Sequence, residues 1–333
     1  MYRSADHLVR VLLVPFLLAE RSERVEQFDV KWGIFQGAFP AGHHLHDCFQ
    51  LARTNGFAGF ELSLETSLPL LTEAYTDSTE SILAIERSVG LDRPRPGGLR
   101  FESNMNDLAE IKRAAEVADL RIISISTMQL FHYPLSSPVP VIRERAIDIV
   151  KKMIDAMVYL GGDLVLVAPG MVTGDVNYQT AWQNARRALQ MILPYAAERQ
   201  IALGIENIWN KFLLSPLEFV DFIDSFDSPW IGAYFDVANI LDYGYPDHWI
   251  EDLGNRLKRI HFKDYRQDIA GVAGFTNLLQ GDVPWDRVIT ALHKIKYRGW
   301  IVAEITPYRS VPGQALKDTH SALEAIFSIR DLS

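Results

Sequence analysis

Cysteine is nearly missing from this sequence. Cys48 stands alone among 333 residues, which excludes an intrachain disulfide framework and fits a reducing compartment. Basic residues are also in deficit, 33 Lys and Arg against 42 Asp and Glu, for a formal net charge of −9. No basic stripe interleaves with aromatics, so nucleic acid is not an expected partner. Membrane-length apolar runs are lacking. The nearest, VRVLLVPFLLAE, is too short to span a bilayer. Pro15 interrupts it, Glu20 follows at once and no small-x-small cleavage site closes it, so residues 1–29 read as a packed, mostly helical extension rather than a secretory signal. The expectation is a cytoplasmic protein without a membrane partner.

What is present is a rhythm. Eight short apolar runs recur from Lys31 onward: KWGIFQ (31–36), FAGFELSL (57–64), LRIISIS (120–126), DLVLVAP (163–169), IALGIEN (201–207), WIGAYFD (230–236), LKRIHFK (257–263) and WIVAEIT (300–306). Amphipathic stretches separate them. In 141–161, Ile147, Val150, Ile154, Met157 and Val158 keep a 3.6-residue period, and Gly161 and Gly162 end it; residues 178–199 behave alike. Strands apolar on both faces, alternating with helices, imply a parallel sheet covered by helices. Eight such units imply an α/β fold closed as a (β/α)8 TIM barrel, one catalytic domain over 30–333. An open dinucleotide-binding sheet would show GxGxxG after its first strand, and GIFQGAFPAG does not match. The long connection from Glu65 to Arg100 follows the second run, so it falls on the face where barrel enzymes work.

The last four runs end in metal-capable side chains: Glu206, Asp236, His261 and Glu304. A closed barrel brings consecutive strand ends round one rim. Three carboxylates would repel one another there unless a cation compensated them. With one imidazole they form a mostly oxygen donor set suited to one divalent ion, Mn²⁺, Mg²⁺ or Co²⁺, and compatible with Zn²⁺.

GIENIWNKFLLSP, YFDVANIL, RIHFKDY, QGDVPWDRVITAL and GWIVAEIT resemble the xylose isomerase-like superfamily, in particular sugar-phosphate 3-epimerases of the hexulose-6-phosphate and ribulose-5-phosphate kind and ketose 3-epimerases. The resemblance spans roughly residues 31–330. It implies Glu206, Asp236, His261 and Glu304 as metal ligands, with Glu206 and Glu304 as the acid/base pair exchanging a proton through a metal-stabilised enediolate. Asn239 stands where free-ketose epimerases of this family carry a substrate histidine, and Phe212 where they carry a further glutamate, which favours a phosphorylated sugar.

Further substrate-contact candidates are Glu65, His132, Trp209, Asn239, Lys263 and Asp282; Asp282 could instead cap the helix starting near Pro284. The histidines of GHHLHDC (42–48) match no zinc spacing, and His44 sits at a helix N-cap position. Alternatives on the same metal site are aldose–ketose or hydroxypyruvate isomerisation and keto-inositol dehydration. An apurinic-site endonuclease would need extra histidines, one of them at Asn239 and another within an Asp-x-His pair. A non-catalytic sugar-binding barrel would not need the acid/base carboxylates. A dimer or tetramer is the expected assembly.

Overall fold

A computed structural model describes residues 29–65, 95–269 and 271–329. The N-terminal extension and most of the connection after the second strand lie outside these residues.

All eight expected strands form: β1 Val30–Phe35, β2 Gly59–Glu65, β3 Arg121–Ser126, β4 Leu164–Val167, β5 Ala202–Glu206, β6 Ile231–Asp236, β7 Leu257–Phe262 and β8 Gly299–Ala303. Each pairs in parallel with its sequence neighbours, and β1 pairs with both β8 and β2, so the sheet closes. This is the expected TIM barrel. Among the described residues eight helices of eight or more residues surround it, besides the short helix Gln129–His132: α1 Leu45–Thr54, α2 Met105–Val117, α3 Pro140–Leu160, α4 Tyr178–Glu198, α5 Pro216–Asp224, α6 Pro246–Leu253, α7 Trp285–Lys294 and α8 Pro312–Phe327.

Local chemistry sets the helix ends. Asn104 and Asp107 close a capping box on α2, and Ser215 caps α5 with Pro216 at the first helical position. Gly161 takes φ 81° after α3, the left-handed conformation that costs glycine least. His44 caps α1 as expected, its ring accepting the His46 N–H. No helix among the described residues is long and apolar enough to cross a membrane.

The core has two parts. The larger lies between sheet and helices. The smaller, Ile123, Leu164, Leu166, Tyr234, Trp300 and Val302, fills the barrel. It fits because neighbouring positions are glycine: a Cβ on Gly59 would stand 2.7 Å from Trp300 and 2.8 Å from Ile123.

Candidate functional site

Side chains enter a barrel at every second strand residue, and here the inward set changes character along the axis. Above the apolar plug the same registers carry Glu61 and Ser63 on β2, Glu206 on β5, Asp236 on β6, and His261 with Lys263 on and just past β7. Glu304 follows β8. Glu61, Glu206, His261, Lys263 and Glu304 line a cavity of about 280 Å³.

Backbone geometry sets the carboxylates. Asn207 laces the end of β5 to β6: its Nδ2 donates to the Asp236 carbonyl at 2.8 Å, and its Oδ1 accepts the Asp236 N–H at 2.8 Å. Asp236 Oδ1 then accepts the N–H groups of Ala238 and Asn239 at 2.8 and 3.0 Å, an Asx-type turn that ends the strand. Glu304 extends the β7–β8 ladder by one rung, donating its N–H to the Phe262 carbonyl at 2.9 Å. Asp236 and His261 are direct partners in register.

Four side chains therefore converge. Glu206, Asp236, His261 and Glu304 each offer one ligand-capable atom, and these atoms lie within 4.8 Å of one another. His261 Nδ1 faces Glu206 Oε1 at 3.0 Å and Glu304 Oε2 at 3.4 Å. Lys263 Nζ sits 2.9 Å from both Asp236 Oδ2 and Glu304 Oε2. Asp236 Oδ2, fully buried, has that charge contact but no aligned hydrogen bond.

Burial pushes the carboxyl of Glu206 up, the charges of Glu304 and Asp236 adding to it against the hydrogen bond and charge of His261. Burial would raise Glu304 too, but Lys263 and His261 pull it down. Burial opposes charge on His261, yet Glu61 and hydrogen bonds to Glu206 and Glu61 hold its pKa well above the ordinary value. Lys263 is likewise held charged against its burial by Asp236, Glu304 and Glu206. Acidic groups crowd one point, where two protein cations partly compensate them. That donor set, with one buried carboxylate oxygen lacking a hydrogen bond, fits a hard divalent ion.

The other candidates separate. Trp209, Asn239 and Lys263 line the cavity. The Trp209 indole donates to the Asn239 carbonyl at 2.8 Å and packs on Phe275, ring centroids 4.7 Å apart. Phe275, on a small hairpin of Asp264–Tyr265 and Phe275–Thr276, also covers Lys263, whose Nζ stands 4.4 Å from the ring centre. Glu65 does not reach the cavity: Gln36 Nε2 and the Arg95 N–H donate to it at 2.7 and 2.8 Å, and the Arg95 guanidinium lies 3.4 Å away. His132 is buried outside the cavity lining, while its neighbour Phe131 forms part of the wall. Asp282 is exposed and accepts the Gln267 N–H at 2.8 Å; α7 is capped at Pro284 without any side-chain bond. Phe212 packs outside the barrel on Tyr178 and Phe222. An Asp-x-His pair does occur, at Asp318 and His320, but on α8, where His320 packs edge-on against Trp32 and Phe57 and has no part in the four-residue cluster.

Glu61 was not singled out from the sequence. Its signal was there: in FELSLE positions 61, 63 and 65 are all polar and all buried, the same polar alternation that Arg259, His261 and Lys263 make on and just past β7. Glu65 is the more visible of the three because it stands at the strand's end.

The xylose isomerase-like TIM barrel family model matches residues 49–326. A putative L-ribulose-5-phosphate 3-epimerase, SgbU, of Haemophilus influenzae is 23% identical over 279 residues, covering 83% of this chain and 88% of the relative. L-ribulose-5-phosphate 3-epimerase UlaE of Escherichia coli O1:K1 is 22% identical over 284 residues, covering 82% and 86%. Among solved structures, D-allulose 3-epimerase from Methylomonas sp. in complex with D-allulose superposes with a TM-score of 0.65 at 18% identity, covering 90% of this chain and 96% of the other. That likeness carries the fold, and the family match carries the relationship: the chain belongs to the xylose isomerase-like TIM barrel family.

Proposed function

We propose that this protein is a divalent-metal-dependent epimerase of a ketose or ketose phosphate, inverting the carbon next to the carbonyl. One observation carries the reading: two glutamates from separate strands, Glu206 and Glu304, converge with Asp236 and His261 at one point on the floor of a cavity large enough for a small sugar. The names of the curated relatives, 3-epimerases over more than four fifths of the chain, support it.

A divalent ion held by these four residues would polarise the carbonyl and stabilise the negative charge that develops as the proton leaves. The chain's own groups do the rest. One glutamate takes the proton from the carbon and the other returns one on the opposite face, so the two exchange acid and base roles with the direction of turnover. Lys263, held charged beside Glu304, can donate to a substrate oxygen. Asn239, Ser63 and Thr127 offer hydroxyl partners, and Trp209 and Phe131 enclose the carbon skeleton.

Lys263 is the one ammonium or guanidinium group among the described residues of the cavity wall, and two carboxylates already hold it. The proposal therefore covers both the free and the phosphorylated sugar. Aldose–ketose isomerisation by hydride shift is the second reading, since the same donor set serves it. Turnover in D₂O separates them. Proton exchange through the glutamates places deuterium at the inverted carbon; product epimerised without solvent label, or an isomerised product carrying the substrate's own hydrogen, would overturn the two-glutamate mechanism.

A further inference from the structure

Beneath the cluster lies a buried carboxylate that the proposed reaction does not use. Glu61 is fully buried, and both its oxygens are engaged. Its Oε2 accepts the hydroxyl of Ser124 at 2.6 Å and that of Tyr234 at 2.5 Å. Its Oε1 lies 3.0 Å from His261 Nε2. The Tyr234 ring packs against the imidazole, centroids 4.5 Å apart, and the other imidazole nitrogen, Nδ1, points at Glu206 and Glu304.

We propose that Glu61 is a positioning residue for the metal centre, holding His261 with its proton on Nε2 and its Nδ1 lone pair turned to the ion. This rests on the metal reading of the site. Ser124 and Tyr234 reach Oε2 as hydroxyl donors, so Glu61 Oε1 remains the acceptor for an N–H on Nε2. On binding the ion the imidazole gives up its Nδ1 proton and keeps one N–H; with that on Nε2, Nδ1 is free to ligate. Without the acceptor below, the ring gains by placing its proton on Nδ1, where Glu206 and Glu304 would accept it, and the ligand atom is lost. A carboxylate behind a ligating histidine is a recurrent device for fixing tautomer and ring orientation. Here β2 supplies it to a histidine on β7, across the barrel, with Tyr234 on β6 gripping both partners. The position is costly for a carboxylate without such a task, since burial of the charge needs every one of these donors.

The test titrates Mn²⁺ into the metal-free protein and follows free Mn²⁺ by electron paramagnetic resonance, so that no substrate is needed. Glu61→Asp keeps the charge but withdraws the acceptor by one methylene; Glu61→Met removes it; Glu61→Gln can still turn its carbonyl oxygen to Nε2. Affinity should fall about 10–100-fold in Glu61→Asp and Glu61→Met, the usual scale for losing such a partner, and recover most of that in Glu61→Gln. Ser124→Ala, which unties Glu61 without touching His261, should lower the melting temperature of the metal-free protein while leaving affinity within about threefold of wild type. Should Glu61→Met not fold, Glu61→Asp against Glu61→Gln decides the matter. Mn²⁺ affinity within twofold of wild type in Glu61→Asp, or no recovery in Glu61→Gln, overturns the proposal. A wild-type protein that binds no Mn²⁺ fails the metal reading itself.

Discussion

The two halves of the barrel mouth are built from the same strand–helix unit yet carry opposite chemistry. β5 to β8 end in Glu206, Asp236, His261 with Lys263, and Glu304, crowded within a few ångströms. β1 to β4 bring Phe35, Ser63, Ser126, Thr127, Met128, Phe131 and Leu166 to the same cavity, and Glu61, turned down onto His261, is the one ionisable group they add among the described residues. Under the proposed function, one half polarises and moves protons. The other can only shape, exclude water and offer hydroxyls. Under the proposed function, a ligand's carbonyl end would belong on the β5–β8 side and its carbon chain between Trp209 and the β1–β4 wall.

The sharpest way to break this contrast is to disarm the charged half. Glu304→Gln, assayed at saturating metal, should lose turnover on the order of 10²–10⁴-fold, the scale of a lost acid/base group; an enzyme as fast as wild type would remove Glu304 from the chemistry. Next comes Lys263→Met. It leaves the buried Asp236 and the partly exposed Glu304 without their shared cation, and the metal-free protein should lose about 3 kcal/mol in urea unfolding, the cost of breaking a buried pair from one side. Added Mn²⁺ should stabilise this variant more than it stabilises wild type, because the ion then supplies the missing charge.

In the neutral half the same logic gives smaller effects. Phe131→Ala removes wall area without touching a proton, so KM should rise on the order of 10-fold, roughly 1.4 kcal/mol, with kcat nearly unchanged. Equal losses in kcat and kcat/KM would mean that this wall acts in the transition state, and the division by halves would fail. Glu65 gives the gentlest test. Burial pushes its pKa up to about 7 against the pull of the Arg95 N–H and guanidinium. A folded-state pKa above the free value of about 4.3 means the folded chain holds the proton more tightly, so this contribution to stability is complete below about pH 4.3 and is lost as pH rises through about 7. Urea midpoints between pH 5 and 8 should fall less steeply in Glu65→Gln than in wild type.

The halves also differ in how well the sequence exposed them. Glu206, Asp236, His261 and Glu304 stand at strand ends, where a polar residue after an apolar run is visible and where a barrel needs its chemistry. Glu61 lies mid-strand, flanked by Phe60 and Leu62, and its meaning depends on which face the strand turns inward. Only closure of the barrel brings it under a histidine 200 residues away. The same holds for Asn207, whose two bonds to the Asp236 backbone cross from β5 to β6, and for Phe275, whose hairpin is two residues per strand. His132 differs in the opposite way. It is polar and soon follows β3, yet a step of one residue on the short helix Gln129–His132 puts Phe131 on the cavity wall instead. The helices and strands themselves were legible because their periods, 3.6 and continuous apolar, are local properties.

The central claim is that the charged half is a metal centre. Crystals soaked in Mn²⁺ and measured at the manganese absorption edge test it without any knowledge of the sugar. One strong anomalous peak is expected, bounded by Glu206, Asp236, His261 and Glu304 at oxygen and nitrogen distances of roughly 2.0–2.3 Å, with the Lys263 ammonium moved off Asp236 Oδ2. Saturating Mn²⁺ with no peak among these four side chains, Lys263 still seated between Asp236 and Glu304, would contradict it.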